Sequence, residues 1–354
     1  MKVAPTLLAV LLLAAPAAVY SQFAFVTNAD NTLTITNYTG PGGDVIIPTN
    51  YNGMQITGIG DSAFYFCMSL TSITIPASVT SIGDGAFWDC FNMTDAGIPS
   101  TVTNMGDGAF QDCFSLTGVM IPSGVKRVGD SAFFECVGLT NIMIPDSVTN
   151  IGVAAFGDCA NLTSVTIPRS VTILGEEAFD NCSSLRTVVI PGGVTSIGYS
   201  TFYNCTSLAK VIIFGSLTNI GDSAFSGCTS LRQVYFQGNA PGTLGTNVFS
   251  GDKSATLYYS PGASGWSDPF AGLAAVLWNP LIQSRAANFG VHDNQFWFSI
   301  TGTPGIPIVV EVCADLTSPF WTPLQTLTLT NGSANFSEPV QPNTHGRYYR
   351  IRSP

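Results

Sequence analysis

From Leu70 the chain alternates polar and apolar residues through Ser72 to Ile75, breaks at Pro76, resumes an apolar stretch over Val79 to Ile82, and bends at Gly83. Strict alternation is the period of a half-buried strand. Its inward positions recur as Ile73/Ile75, Val119/Ile121, Ile142/Ile144, Val165/Ile167, Val188/Ile190 and Val211/Ile213, β-branched residues that suit a pleated, packed surface. Proline removes a ladder donor and ends the strand. Glycine then permits a tight bend, and a GDSAFxxC-like stretch follows that predicts one helical turn or a 3₁₀ piece with its Asp as N-cap. Each unit is thus predicted as strand, corner, short strand, corner, short helical turn, with Ala, Phe and Cys of the turn facing a core.

The unit returns every 23 residues. Cys67, Cys90, Cys113, Cys136, Cys159, Cys182, Cys205 and Cys228 keep this step, and Phe64 to Phe225 and Gly60 to Gly221 keep it in the same register. A period of this size is the signature of stacked supersecondary units that bury their apolar faces only against one another. The consensus LxxIxIPxSVTxIGxxAFxxCxxL resembles the leucine-rich repeats of the BspA-like bacterial surface proteins over about Ile59 to Leu231. The departures are Thr201 for Ala, Phe214 for Pro, and a weak unit from Met93 to Ser115 with Ala96 and Gly97 in its strand. The resemblance implies an extracellular or surface-attached protein that binds other molecules, often in adhesion, and it supplies no catalytic residues.

The rest of the chain departs from the repeat. Residues 1–21 predict a signal peptide: Lys2, an apolar run from Leu7 to Ala15 too short to span a bilayer, and small residues leading to cleavage after Ser21. Residues 22–58 predict an N-terminal cap and first coil, with two strands around a turn at Asn28 to Asn31. The solenoid is expected over 59–254, and a C-terminal cap and linker over 255–288. Residues 289–354 carry short alternating runs such as QFWFSITG and PIVVEVCAD, which predict a small antiparallel β-sandwich-like module with Trp321 as a core anchor. The predicted fold class is therefore mainly β with short helical turns, a leucine-rich repeat solenoid followed by that module.

Composition narrows the chemistry. Only 10% of residues are charged and the formal net charge is −10, with a pI near 4.4. Nucleic acid and anionic membrane surfaces are poor partners for such a chain, and no membrane insertion is expected after signal cleavage. The cysteine column reads as buried core thiols; bridges between neighbouring coils are the alternative, disfavoured because stacked Cβ vectors run parallel. No metal site is expected, since the column lacks paired His and CxxC spacing. The acids after the repeat glycines, such as Asp61, Asp84, Asp107, Asp130 and Asp222, read as caps rather than a calcium ladder, because each coil offers one carboxylate. The only histidines are His292 and His345, and no spacing suggests a triad. Neither catalytic residues nor a cofactor is expected. Arg347, Arg350 and Arg352 give the C-terminal end local positive charge, read as a solvated strand face or, alternatively, an attachment site.

The candidate binding surface is the outward side of the long strand. Alternation places Met120, Asn141, Met143, Val189, Lys210, Ile212, Gln233 and Tyr235 there, with apolar clusters at Met120/Met143 and Ile212/Tyr235. Two readings stay open. The clusters anchor a protein or glycan partner, or they pack cross-strand with each other. The function expected is a secreted or cell-surface binding and adhesion protein, monomeric and non-catalytic. A structural component of an extracellular layer and an accessory module of a carbohydrate-active system are the alternatives.

Overall fold

The computed structural model describes residues 21–340 and 346–352. The predicted signal peptide, apart from Ser21, and His345 lie outside the described residues. The chain divides into two compact units, residues 1–185 with 200–205 and residues 186–199 with 206–354.

In the first unit, Phe23–Thr27 and Leu33–Tyr38 form the expected N-terminal antiparallel pair. Leu33–Tyr38 then opens a parallel ladder through Met54–Ile59, Ser81–Ile82 and Asn104–Met105. Arg127–Val128, Asn150–Ile151 and Ile173–Leu174 pair in the same way. The long strands form a second face: Gly43–Ile46, Leu70–Thr74 and Asp95–Gly97, then Asn141–Met143 with Ser164–Thr166, all parallel. Across the weak unit and the one after it, where Gly97 and Gly118 carry no side chain to pack against the neighbouring coils, the ladder thins to single bridges at Asp95–Gly118 and Met120–Met143.

The third side of each coil corrects the predicted helical turn: the described residues contain no helix. Successive N–H groups instead alternate between the coil's own chain and its neighbour. Ala63, Tyr65 and Cys67 donate to carbonyls three residues back, whereas Ser62, Phe64 and Phe66 donate to Asp84, Ala86 and Trp88 at 2.8–2.9 Å. This alternation needs left-handed backbone at every fourth residue, seen at Ser62 and Phe66 and again at Gly85 and Asp89. Small residues and Asn/Asp tolerate that conformation best, which accounts for their frequency at these places. A helix would spend those N–H groups internally and leave the coils unjoined.

The side chains complete the joining. The Asp column caps the next coil rather than its own turn: Oδ1 of Asp61, Asp84, Asp107 and Asp130 accepts from the backbone N–H of Asp84, Asp107, Asp130 and Val153 at 2.8–2.9 Å. Each buried thiol from Cys90 to Cys205 donates to the carbonyl of the preceding coil's Phe at 3.1–3.2 Å. None of the nine cysteines is in a disulfide. The rings from Phe64 to Phe202 stack with centroids 5.0–5.5 Å apart. The coils approach so closely that a Cβ on Gly106 would lie 2.5 Å from the backbone nitrogen of Asp84, which fixes glycine there.

In the second unit, Thr187–Ile190, Lys210–Ile213, Gln233–Phe236, Thr256–Tyr259 and Ala274–Leu277 make one parallel sheet. Parallel pairing thus continues into the stretch expected to cap the solenoid. An antiparallel two-sheet module follows. One sheet holds Leu281–Ile282, Gly290–His292, Gln295–Thr301 and Ser333–Pro339; the other holds Thr322–Thr328, Pro307–Cys313 and Tyr348–Arg352. Leu281 and Ile282, expected in a linker, are already paired with Thr301 and Ile300. The module's core is Phe298, Ile300, Ile306, Ile308, Val310, Leu329 and Phe336. Trp321, expected among these, is half-buried and carries the Arg350 guanidinium 4.4 Å from its ring centroid.

Candidate functional site

The alternation that turns Ile142 and Ile144 inward turns Met143 outward, and Met120 sits beside it across a parallel bridge. Both methionines are 72% exposed. Asn141 is also exposed and pairs with Ser164. In the first unit, then, the outward face of the long strands is open, with an apolar pair at its centre and small polar groups around it.

The remaining candidates lie in the second unit, and there the expectation of a free surface fails. Val189, Ile212, Tyr235, Tyr258 and Val276 follow one another in register across the sheet. Tyr235 is only 5% exposed, and with Tyr258 it belongs to the same buried cluster as the core of the C-terminal module. Ile212, Val276 and Trp278 pack against that cluster, and the Trp278 indole donates to the Pro307 carbonyl at 3.1 Å. The sandwich is seated on this end of the sheet. The cross-strand reading holds here as well, since the Tyr235 and Tyr258 rings stack at 4.9 Å. Lys210 and Gln233 are half-buried partners in the ladder, and Lys210 Nζ stands 5.5 Å from the Tyr235 ring centroid. Burial, followed by the Arg352 charge, holds the Lys210 ammonium below its ordinary pKa. A cleft of about 190 Å³ remains beside Ile212, lined by Tyr258, Tyr259, Trp278, Ile351 and Arg352.

The arginines at the C-terminal end are engaged rather than free. Arg350 and Arg352 hold Glu311 through their Nε atoms at 2.7 and 2.6 Å, and Arg347 holds Glu338 at 2.8 Å. Burial pushes the Glu311 carboxyl up, but the bonds from Arg352 and Arg350 outweigh it and leave the group below the usual range. His292 is exposed on its strand. Among the described residues, no three His, Cys, Asp or Glu side chains are placed to share a metal ion, and no helix is long and apolar enough to cross a membrane.

Two features were missed in the sequence. Burial, then the neighbouring Asp158 and Glu177 charges, raises the Asp180 carboxyl to about 6; it belongs to a second acidic set, beside the cysteines, that includes Asp89, Asp112, Glu135 and Asp158. The other is the residue after each cysteine, which is Met68, Phe91, Phe114 and Val137 in early coils but Ala160, Ser183, Thr206 and Thr229 later. Aligning that single column would have exposed the gradient.

Comparison with known proteins agrees with the coil geometry. The model of the BspA type leucine rich repeat region matches residues 45–163 and 149–261. No curated protein matches. Among solved structures, the T. pallidum leucine rich repeat protein is 26% identical over 60% of this chain and 89% of its own, with a TM-score of 0.46. A leucine rich cell surface protein from Faecalibacterium prausnitzii is 26% identical over 72% of this chain and 93% of its own, with a TM-score of 0.45. The pneumococcal vaccine antigen PcpA is 18% identical over 72% of this chain and 83% of its own, with a TM-score of 0.42. Since the repeat model covers more than half of the sequence, the chain belongs to the BspA-type leucine-rich repeat family.

Proposed function

We propose that this chain is a non-catalytic recognition protein of the cell surface. Its solenoid face at Met120, Asn141 and Met143 docks a protein or glycan partner. The observation that carries this reading is the 72% exposure of two adjacent methionines on a face where Ile46, at 69%, is another outward apolar side chain left open and the inward apolar residues are buried. Methionine is flexible and polarisable, which suits adaptable contact surfaces, and exposed apolar side chains on a repeat face are what solenoids use for binding. The signal-like segment before Gln22 and the cell-surface description of the F. prausnitzii relative are in keeping with export. Ile212 and Tyr235 leave the proposed docking surface, because they pack with the core of the C-terminal module, and the half-buried Val189, Lys210 and Gln233 beside them are not part of it.

A photo-reactive amino acid at position 143 or 235, introduced into the chain in its native cells, tests the proposal. Cross-linking from 143 to a foreign protein or polysaccharide, with none from 235, is the expected result. Adducts from neither position, with the chain recovered as a free monomer, would contradict it.

A further inference from the structure

The first coils carry an exposed aromatic strip on the turn side, away from the strand faces. Tyr65 and Trp88 meet edge to face at 5.4 Å, Phe66 meets Phe91 at 6.1 Å, and Phe91 stacks on Phe114 at 5.0 Å with an angle of 4°. Phe66 is 51% and Phe114 39% exposed. The fold does not require these rings. Ala160, Ser183, Thr206 and Thr229 occupy the place of Phe91 and Phe114 in later coils, and Gly157 and Ser226 occupy that of Trp88, with the repeat intact. The chain is its own control: rings are present where small or polar residues serve the same backbone. Contiguous apolar surface of this kind marks an interaction site, and aromatic anchors dominate interface energetics.

The border of the strip indicates what covers it. Asp89, Asp112, Glu135 and Asp158 follow one another at the residue before each cysteine. Asp tolerates the left-handed backbone at that place, and this accounts for the residue type at three of the four. Their charge remains uncompensated by any Lys or Arg ion pair among the described residues. The only cations between residues 61 and 160 are Lys126 and Arg127, and Arg127 is engaged at the short-strand corner by Asp107 and Asp130. Burial, together with mutual repulsion, raises the carboxyls of Asp89 and Glu135.

We propose that the aromatic strip, with its flanking carboxylates, docks a cationic amphipathic polypeptide segment. Its apolar side chains would lie on the Phe91 and Phe114 rings. Its Lys or Arg side chains would reach the carboxylates and the ring faces, where cations are favoured. This surface is separate from the methionine face and does not depend on it.

Fluorescence anisotropy of a labelled Lys/Leu amphipathic peptide, titrated with the full chain, tests the proposal. Binding should weaken with added salt. Replacing Phe91→Ser together with Phe114→Thr, residues that later coils already carry, should lower affinity by about tenfold or more with an unchanged melting temperature. Asp89→Asn with Glu135→Gln should weaken binding less and flatten its salt dependence. The inference is overturned if the Lys/Leu peptide does not bind, if a Glu/Leu peptide of the same pattern binds equally, if a neutral oligosaccharide takes the rings in its place, or if the ring variant binds like the native chain.

Discussion

Met143 and Tyr235 occupy the same column of the repeat, on strands with the same alternation and the same parallel pairing. One is 72% exposed; the other is 5% exposed beneath a second fold. A repeat position therefore fixes the direction of a side chain but not its environment. The residues are matched to the outcome. Tyr235, Tyr258 and Trp278 bring large apolar area where a module is seated, and aromatic burial of this kind dominates interface energetics. Met120 and Met143 bring adaptable side chains where the face is open.

The largest expected effect comes from breaking the covered end. Tyr235→Ala should cost about 3–4 kcal/mol in urea unfolding of the second unit, because it removes a ring from a closed cluster. If it costs no more than a surface change, the module is not seated on that ring. Asp252 gives a second, opposite effect. It stands in the place of the column cysteine, is 1% exposed, and has no well-formed hydrogen bond to either carboxylate oxygen; burial raises its pKa to about 7 and outweighs the opposing pull of the Cys228 backbone. Asp252→Cys should stabilise by about 2 kcal/mol at pH 8, since an unsatisfied buried carboxylate is removed. Equal stability of the two proteins at pH 8 would sink this account.

The coils and the C-terminal sheet should also respond to acid with opposite sign. Folding raises the carboxyls of Asp180 and Asp252, so the fold prefers them protonated; their drag on stability is relieved as pH falls from about 7 toward the ordinary carboxylate range. Folding lowers Glu311, so its contribution is present above the ordinary glutamate range and is lost as pH falls through it. Hydrogen exchange followed between pH 7 and pH 3.5 should show coil amides near Asp180 and Asp252 gaining protection before amides of Pro307–Cys313 lose it. A uniform response of both sets would contradict this. The smallest effect is expected at the open end. Met143→Asp should change stability by no more than about 0.5 kcal/mol while abolishing partner capture.

Much of this was legible in the sequence because the repeat is local. The Phe, Gly and Cys columns, the parallel ladders and the existence of a terminal sandwich all follow from period, alternation and turn residues. The turn side was not, because DSAF composition suits a helix. What prevents one is the need of Ser62, Phe64 and Phe66 to donate across coils, a demand visible only with the neighbour in place. The fate of Tyr235 was hidden for a related reason. Alternation reports that a residue points outward, and only the packing of residues such as Phe298 and Ile308, far along the chain, reports what it meets there.

Hydroxyl-radical footprinting of the intact chain, read residue by residue by mass spectrometry, tests the open-and-covered contrast most directly. Comparing tyrosine with tyrosine removes differences in intrinsic reactivity, and Tyr65 and Tyr199 are exposed references. The prediction is rapid oxidation of Met120 and Met143, with Tyr235 and Tyr258 modified far more slowly than Tyr65 and Tyr199. Modification of Tyr235 at the rate of Tyr65 would show that the module does not cover the sheet, and the contrast would fall.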